Sequence, residues 1–249
     1  MRLTRVYLPH ARDVGTRLAL GSEAAVHLGR VLRLANGSDI EVFDGHGRAF
    51  AARLIMARAG EGEVELLAER PAIPESPLSL TLLQGLLRNE KMDWVIQKAV
   101  ELGVQRIVAI ATERSVVRLA AERSERRLRH WRTIAINACE QCGRSVLPQI
   151  ELTSLAQLLA GALPAQRFVL QPRGAMTVDE LDTALAQAAV MIGPEGGFSE
   201  RESRTLADAE FRALRLGPRV MRTETAALAA LTALQMRCGD LAGRSTERD

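Results

Sequence analysis

Two glycine-proline loops in the C-terminal part of the chain are the strongest candidates for a ligand-binding or catalytic site. The first follows an apolar run and reads Gly193-Pro194-Glu195-Gly196-Gly197; the second reads Gly217-Pro218-Arg219-Val220-Met221-Arg222-Thr223-Glu224. Glycines let the main chain approach a ligand closely, and the N–H groups at a helix start attract negative charge. The loops are therefore suited to recognising an anion, or the edge of a ligand through backbone groups.

A glycine loop by itself is weak evidence, and neither loop matches the P-loop or the G-x-G-x-x-G dinucleotide fingerprint. A functional role is favoured because the first loop is accompanied by a second glycine-proline turn, which leads into Arg222-Thr223-Glu224-Thr225. Ser199 and Glu202 have the spacing of a capping box, and Thr223 or Thr225 is the expected N-cap of the second helix. Ligands of open α/β sheets bind outside the carboxyl ends of the strands, so we expect both loops to border one crevice.

The elements that position these loops form an alternating pattern of strands and helices. Strands are predicted at 78–87, 107–110, 167–170 and 190–192, and helices at 89–102, 123–141 and 178–187. Such alternation indicates a parallel sheet covered on both faces. The last helix, 225–236, is apolar nearly all round, so we expect it to be buried in a subunit interface, under neighbouring loops or as an ordinary core helix.

The N-terminal part of the chain instead predicts a small β-barrel. Strand-like pieces lie at 6–8, 40–43, 49–55 and 63–67, with hairpin turns at 36–37 and 44–47. A helix is predicted from Ser22 to Leu34, with these apolar residues on or near its buried side: Val26, Leu28, Val31, Leu32 and Leu34. Pro71, Pro74 and Pro77 indicate a stiff linker, which predicts a domain boundary near residue 75.

Composition and charge indicate an ordinary globular protein with a polyanionic partner. No apolar run approaches the roughly 20 residues of a membrane span and no signal-peptide core follows Met1, so we expect a cytoplasmic protein. The three cysteines are an odd number, which favours reduced thiols. Arginines cluster in 1–33 and 114–132, a pattern that suits RNA phosphates, although solvated helix faces with i, i+4 ion pairs explain such clusters equally well.

Three other candidate motifs are weaker. Cys139 and Cys142 have C-x-x-C spacing, but they lie near the end of a predicted helix and no second ligand pair follows, so neither redox chemistry nor metal binding is expected. Lys91 and Lys98 are the only lysines, and their spacing is typical of a solvated helix face. His27 could contact RNA, although a packed or surface histidine is the ordinary case.

The two loops and their flanks closely resemble one family. The stretches 192–199 and 216–226 are similar to the signature of the 16S rRNA (uracil-N3)-methyltransferases, the RsmE family of the SPOUT class, and weaker matches run along the chain. The resemblance implies an α/β fold, with a C-terminal SPOUT trefoil-knot domain and its parallel sheet at 76–249. It also implies a small N-terminal PUA-like RNA-binding β-barrel at 1–72.

The same resemblance implies an activity. The expected reaction is the transfer of a methyl group from the cofactor S-adenosyl-L-methionine to N3 of one uridine, U1498, in the 16S rRNA of the small ribosomal subunit. The expected assembly is a homodimer, and no metal and no membrane is expected to take part.

Roles for individual residues follow from the resemblance. The cofactor is expected to contact Leu170, Gly193, Gly197, Leu216, Gly217, Met221 and Ala226. Arg222 is expected to stabilise negative charge on the uracil or on a phosphate, and Glu195 or Glu224 is the candidate base. Stabilisation of the helix dipole explains Glu224 equally well. RNA backbone contacts are expected from Arg2, Arg5, Arg33, Arg114 and Arg144.

Two alternatives stay open at the level of sequence. Ribose 2′-O-methylation of RNA by the same knotted fold fits nearly every feature, because a fold does not fix the acceptor atom. A non-catalytic RNA-binding or ribosome assembly factor that retains a cofactor pocket also fits. The presence of both Arg222 and Glu224 argues mildly against this second alternative.

Overall fold

A computed structural model describes residues 3–58, 61–115 and 121–243. The chain divides into two compact units. The first unit comprises residues 1–75 together with 139–147, and the second comprises 76–138 together with 148–249. The return of 139–147 to the first unit has no counterpart in the sequence pattern.

The first unit is built on a curled five-stranded sheet with the order β1-β3-β4-β5-β2. Its strands are β1 (Arg5–Tyr7), β2 (Arg17–Ala19), β3 (Asp39–Phe43), β4 (Ala49–Arg58) and β5 (Glu61–Arg70). β1 pairs with β3 in parallel, and the other neighbours pair antiparallel. Alternate residues of β5, among them Val64 and Leu66, enter a core that contains Ile40, Phe50 and Leu54. The predicted N-terminal β-structure is confirmed, with β2 as an addition.

The helix predicted from Ser22 to Leu34 is shorter and changes type. α1 (Ser22–Val26) is followed by a π-helical turn at His27–Val31, which Leu32 N–H closes on the His27 carbonyl at 2.9 Å. A π-turn spans one residue more than an α-turn, so it rotates the side chains that follow. Leu28 stays buried, but Val31 and Leu32 are 64% and 42% exposed. The prediction of a buried position for these last two residues is wrong.

The second unit contains a seven-stranded parallel sheet with the order β10-β12-β9-β11-β6-β7-β8. Its strands are β6 (Ser79–Gly85), β7 (Arg106–Ala111), β8 (Gln149–Ser154), β9 (Arg167–Leu170), β10 (Met176–Thr177), β11 (Gln187–Ile192) and β12 (Arg212–Arg215). The central strands β6, β7 and β11 are buried along most of their length, as expected of a sheet covered on both faces. The predicted α/β class is confirmed.

The helices after α1 are α2 (Asn89–Glu101), α3 (Ala121–Cys142), α4 (Leu155–Ala160), α5 (Glu200–Asp208) and α6 (Thr223–Cys238). The last turn of α3, from residue 139, belongs to the first unit. Of the helices within the described ranges, none combines the length and the apolar character needed to cross a bilayer.

The prediction of a helix at 178–187 is wrong. Val178–Glu180 forms a single 3₁₀ turn, and the chain is extended at Leu181. The Arg237 guanidinium of α6 donates to the carbonyls of Asp179 at 2.9 Å and of Leu181 at 3.2 Å. These tertiary bonds take the carbonyl groups that a longer helix would need for its own ladder.

The last helix, α6, is buried along one face. Its buried side chains include Ala227, Ala230, Leu231 and Leu234. Thr225, Thr232 and Met236 lie on the opposite face, and Met236 is 47% exposed. The prediction of a buried last helix therefore holds for one face only.

Candidate active site

Three neighbouring strands of the parallel sheet end at the same edge. β9 lies between β11 and β12 and ends at Leu170. β11 leads into the first glycine-proline loop, which ends at Ser199, the N-cap of α5. β12 leads into the second loop, which ends where α6 begins at Thr223. Both loops are thereby brought to the carboxyl edge of the sheet, where α/β proteins bind their ligands.

A cavity of about 840 Å³ lies between the two loops. All but one of the residues predicted to contact a cofactor line it: Leu170, Gly193, Gly197, Leu216, Met221 and Ala226. Gly217 is not among the lining residues, but its φ of 65° belongs to the left-handed region and sets the turn after β12. The candidate catalytic residues Glu195, Arg222 and Glu224 also line the cavity.

The first loop packs directly on the end of β6. A Cβ atom at Gly85, the last residue of β6, would lie 2.5 Å from the Pro194 nitrogen. Thr223 Oγ1 donates to the Gly193 carbonyl at 2.6 Å. The predicted N-cap role of Thr223 or Thr225 is therefore wrong, because Arg222 occupies the N-cap position and has no side-chain cap.

The start of α5 is fixed by a buried carboxylate. Glu202 is 5% exposed and accepts the Ser199 N–H at 2.9 Å, while Ser199 Oγ accepts the Glu202 N–H at 3.1 Å. The predicted capping box is confirmed. The second oxygen of Glu202 accepts the Glu113 N–H at 2.8 Å, so the segment after β7 is joined to the helix that follows the first loop.

Charged groups of both signs face the cavity. The cations are Lys91, Arg173, Arg219 and Arg222, and the anions are Glu195 and Glu224. Lys91 Nζ lies 3.5 Å from Glu195 Oε1 and 3.3 Å from Glu224 Oε2. The sequence spacing favours a solvated helix face for Lys91, whereas the structure has it on the cavity wall. The strand order explains this position, because α2 follows β6 and β6 is the neighbour of β11.

The arginines predicted to contact RNA have different environments. Arg33 and Arg114 are exposed. Arg2 lies outside the described residues. Arg5 and Arg144 are only 8% and 7% exposed, so the structure does not support direct contact of either with RNA phosphates.

Arg5 and Arg144 have bonding partners inside the first unit. The Arg5 guanidinium donates to the Glu41 carboxylate at 2.6 Å, the Cys139 carbonyl at 2.8 Å and the Ser145 hydroxyl at 2.9 Å. Arg144 forms an ion pair with Glu75. Sequence alone does not separate such structural arginines from surface ones, because a basic segment reports charge and not burial.

The C-x-x-C pair lies in the first unit and its buried member is unreactive. Burial raises the pKa of the Cys139 thiol to about 12, and its Sγ donates to the Val146 carbonyl at 3.6 Å. A thiol held in the protonated form is neither a good nucleophile nor a good metal ligand. In the part of the chain that the structure describes, no group of three His, Cys, Asp or Glu residues is arranged to hold a metal ion.

The parallel sheet, the paired glycine loops at its carboxyl edge and the N-terminal β-structure define a class of RNA-modifying enzyme. The chain belongs to the RNA methyltransferase family: the RNA methyltransferase domain matches residues 74–235, and the RNA methyltransferase PUA domain matches residues 20–67. The family resemblance drawn from the two loops is thereby confirmed.

Named relatives cover nearly the whole chain. The ribosomal RNA small subunit methyltransferase E of Buchnera aphidicola subsp. Schizaphis graminum is 31% identical over 242 residues, which are 96% of this chain and 98% of that protein. A crystal structure of a ribosomal RNA small subunit methyltransferase E from Neisseria gonorrhoeae bound to S-adenosyl methionine has a TM-score of 0.88 and 35% identity, and covers 96% of this chain and 100% of that chain. A Legionella pneumophila structure with the bound cofactor SAM has a TM-score of 0.93 and 37% identity over 97% of this chain and 100% of that chain.

Proposed function

We propose that this chain methylates N3 of U1498 in the 16S rRNA of the small ribosomal subunit, with S-adenosyl-L-methionine as the methyl donor. The observation that supports the proposal most directly is the cavity of about 840 Å³ between the two glycine-proline loops, with Glu195, Arg222 and Glu224 on its wall. The similarity to proteins named ribosomal RNA small subunit methyltransferase E, which extends over nearly the full length, also supports it.

The lining of the cavity suits this cofactor. Its volume of about 840 Å³ is in the range of roughly 300–1,000 Å³ that small-molecule sites occupy. Apolar side chains able to cover an adenine ring come from Leu170, Ile192, Leu216 and Met221. Gly193 and Gly197 leave main-chain atoms uncovered for hydrogen bonds to the ligand. The cofactor, when bound, supplies a methyl group carried on a positively charged sulfur.

The acceptor atom determines what the protein groups must do. Uracil N3 carries a proton and is a poor nucleophile while it does, so the site must favour the N3 anion and hold it in position. Glu195 and Glu224 are placed to accept that proton, and a positioned base contributes about 10²–10⁴-fold to the rate. Arg222 is exposed at the start of α6 and stabilises negative charge on the uracil or on a neighbouring phosphate.

RNA binding is assigned to surface arginines and to an N-terminal PUA-like domain at 1–72, and catalysis to a knotted domain at 76–249. The exposed arginines that support the assignment are Arg33 in the first unit and Arg114, Arg126, Arg129 and Arg132 in the second. Contacts of this kind with phosphates supply sequence-independent affinity. Because the substrate is ribosomal RNA, the enzyme is assigned to the cytoplasm.

A homodimer that forms through the outward face of α6 is part of the proposal. Thr225, Thr232 and Met236 are exposed on this face, and Leu228 and Ala229 are half-buried beside them. Small and apolar side chains let a second copy of the helix approach closely, and a two-fold interface uses the same patch twice. Sedimentation should give a dimer for the natural sequence and a shift toward monomer for Met236→Glu, whereas a monomeric natural protein would exclude this arrangement.

The test of the proposed function combines cofactor titration with turnover. Calorimetry should detect binding of S-adenosyl-L-methionine, and Arg222→Ala should keep that affinity within about threefold while losing most methyl transfer to small ribosomal subunits. A natural protein that binds no cofactor would contradict the proposal. Unchanged turnover in Arg222→Ala would remove the role assigned to Arg222.

A further inference from the structure

One lysine lies between the two candidate bases. Lys91 is in the first turn of α2, and its Nζ is 3.3 Å from Glu224 Oε2 and 3.5 Å from Glu195 Oε1. The three side chains come from the segments that follow β6, β11 and β12. A single ammonium group therefore contacts one carboxylate from the first loop and one from the first turn of α6.

Because these side chains are partly buried, the Lys91 ammonium group matters for the charge balance of the two carboxylates. The side chain of Glu224 is 17% exposed, that of Glu195 is 29% exposed and that of Lys91 is 34% exposed. Glu224 Oε2 has almost no contact with solvent and makes no hydrogen bond among the described residues, so the Lys91 ammonium is its adjacent compensating charge. Two neighbouring carboxylates repel each other, and an ammonium group in contact with both offsets that repulsion.

We propose that Lys91 is the positioning residue for the proton acceptor of the methyl-transfer site. It bridges Glu224 and Glu195 through its ammonium group, and it holds the Glu224 carboxylate at the cavity wall. This inference rests on the proposed function. The other charged groups that line the same cavity are cationic arginines of the flanking loops, and none of them has an ion pair with either carboxylate among the described residues: Arg173, Arg219 and Arg222.

The proton step is balanced by the groups present. The N3–H bond of the uracil breaks, an O–H bond forms on the Glu224 carboxylate, and the electron pair stays on N3 as the nucleophile. Lys91 does not touch the uracil in this step and keeps its own protons. Once the product leaves, Glu224 returns the proton to solvent and regains the ion pair with Lys91.

The chain offers a closely matched set of variants. Lys91→Met removes the charge and keeps an unbranched side chain of similar length, and Lys91→Arg keeps a cation. Lys98→Met is the control, because Lys98 is the other lysine of the chain and lies on the same helix. Its Nζ donates to Glu101 Oε1 at 2.8 Å, and Lys98 does not line the cavity.

Turnover of labelled methyl transfer should fall by about 10- to 100-fold in Lys91→Met and recover in part in Lys91→Arg, with Lys98→Met unchanged. Calorimetric affinity for S-adenosyl-L-methionine should stay within about threefold of the natural value in all three variants. A tenfold or larger loss of cofactor affinity with unchanged turnover would make Lys91 a cofactor ligand and overturn the inference. Natural turnover in Lys91→Met would overturn it too.

The pH profile separates this role from a merely structural one. Lys91→Met leaves two neighbouring carboxylates without the cation that contacts both, so the acid limb of the rate profile should move to higher pH. Adding Glu195→Gln to Lys91→Met removes one of the two negative charges and should return the limb toward its natural position. An unmoved limb in Lys91→Met, or no recovery in the double variant, would contradict the proposal.

A direct observation is available because there are only two lysines. Protein labelled with ¹⁵N-lysine should show two side-chain ammonium signals, and Lys98→Met assigns the one that remains to Lys91. That signal should change when Glu224→Gln is introduced, and a signal that does not respond would overturn the ion pair. If the natural protein transfers no methyl group to RNA, the proposed function fails, whereas the NMR result still tests the ion pair.

Discussion

The hydroxyl of Thr223 donates to the carbonyl of Gly193 at 2.6 Å, and the first residue of α6 is thereby bonded to the first residue of the opposite loop. The same hydroxyl accepts a hydrogen bond from the Gln84 side-chain amide at 3.1 Å. Gln84 is fully buried near the end of β6. One threonine therefore fixes the separation of the two loops that border the cavity.

Replacement of Thr223 by valine should disturb both the fold and the cofactor site. Valine keeps the shape but loses both hydrogen bonds, so the free energy of unfolding should fall by about 1–3 kcal/mol. Affinity for S-adenosyl-L-methionine should fall as well, because the loops are no longer held at one separation. Thr223→Ser retains the hydroxyl and is the control; equal affinity in Thr223→Val and the natural protein would contradict this account.

A methyl group at Gly85 should displace the first loop. The added Cβ would lie 2.5 Å from the Pro194 nitrogen, a backbone atom that cannot move alone, so Gly85→Ala should weaken cofactor binding more than about tenfold. In Gly161→Ala, the control, the nearest atom would be 3.5 Å away. Calorimetry on both variants tests the prediction, and natural affinity in Gly85→Ala would show that the loop is not held by β6.

The buried Arg5 should stabilise the first unit and should not act as an RNA contact. Arg5→Gln leaves the partly buried Glu41 carboxylate and the Cys139 carbonyl without their donor, so the free energy of unfolding of this unit should fall by about 3–5 kcal/mol. Arg17→Gln, at an exposed arginine, should cost at most about 1 kcal/mol. Amide exchange of β1 and β3 measures both effects, and equal exchange in the two variants would contradict the assignment.

Glu140 should make the first unit less stable as the pH rises. Burial raises the pKa of the Glu140 carboxyl above its ordinary value of 4.5, although the Tyr7 N–H opposes the shift. A raised pKa in the folded state means that the stabilising contribution is complete below the ordinary value and is lost as the pH rises through the folded pKa. In the natural protein the Tyr7 N–H donates to Glu140 Oε1 at 3.1 Å. Glu140→Gln stays neutral at every pH and keeps an oxygen that can accept this hydrogen bond.

Denaturant unfolding of Glu140→Gln and the natural protein should therefore give similar stabilities near about pH 4 and a more stable variant near about pH 7.5. Amide exchange in β1 and β3 reports the same difference locally. If Glu140→Gln and the natural protein were equally stable at both pH values, the Glu140 carboxyl would be solvated in the folded state.

The parts of the site that could be predicted from sequence are those that depend on residues close together along the chain. Glycine-proline turns and the Ser199–Glu202 capping box are readable because each depends on residues a few positions apart. The parallel sheet is predictable because strands buried on both faces give continuous apolar runs. The position of Lys91 depends instead on β6 and β11 being neighbours, and no periodicity in the sequence reports that order.

The failures of prediction have the same origin. The pattern at 178–187 is helical by composition, but Arg237, far along the chain, bonds the Asp179 and Leu181 carbonyls and ends the turn. Val31 and Leu32 are exposed because a π-turn changes the rotation of α1 in a way that an α-helical pattern does not anticipate. Tertiary contacts and backbone irregularities override local preference at both places.

The proposed function places methyl transfer to uracil N3 in the cavity between the two loops. The most direct test is transfer of labelled methyl from S-adenosyl-L-methionine to small ribosomal subunits that lack their native modification, followed by nucleoside analysis of the RNA. Labelled 3-methyluridine at U1498 is the expected product. Labelled 2′-O-methyluridine, or cofactor binding with no transfer to subunits or to naked RNA, would contradict it.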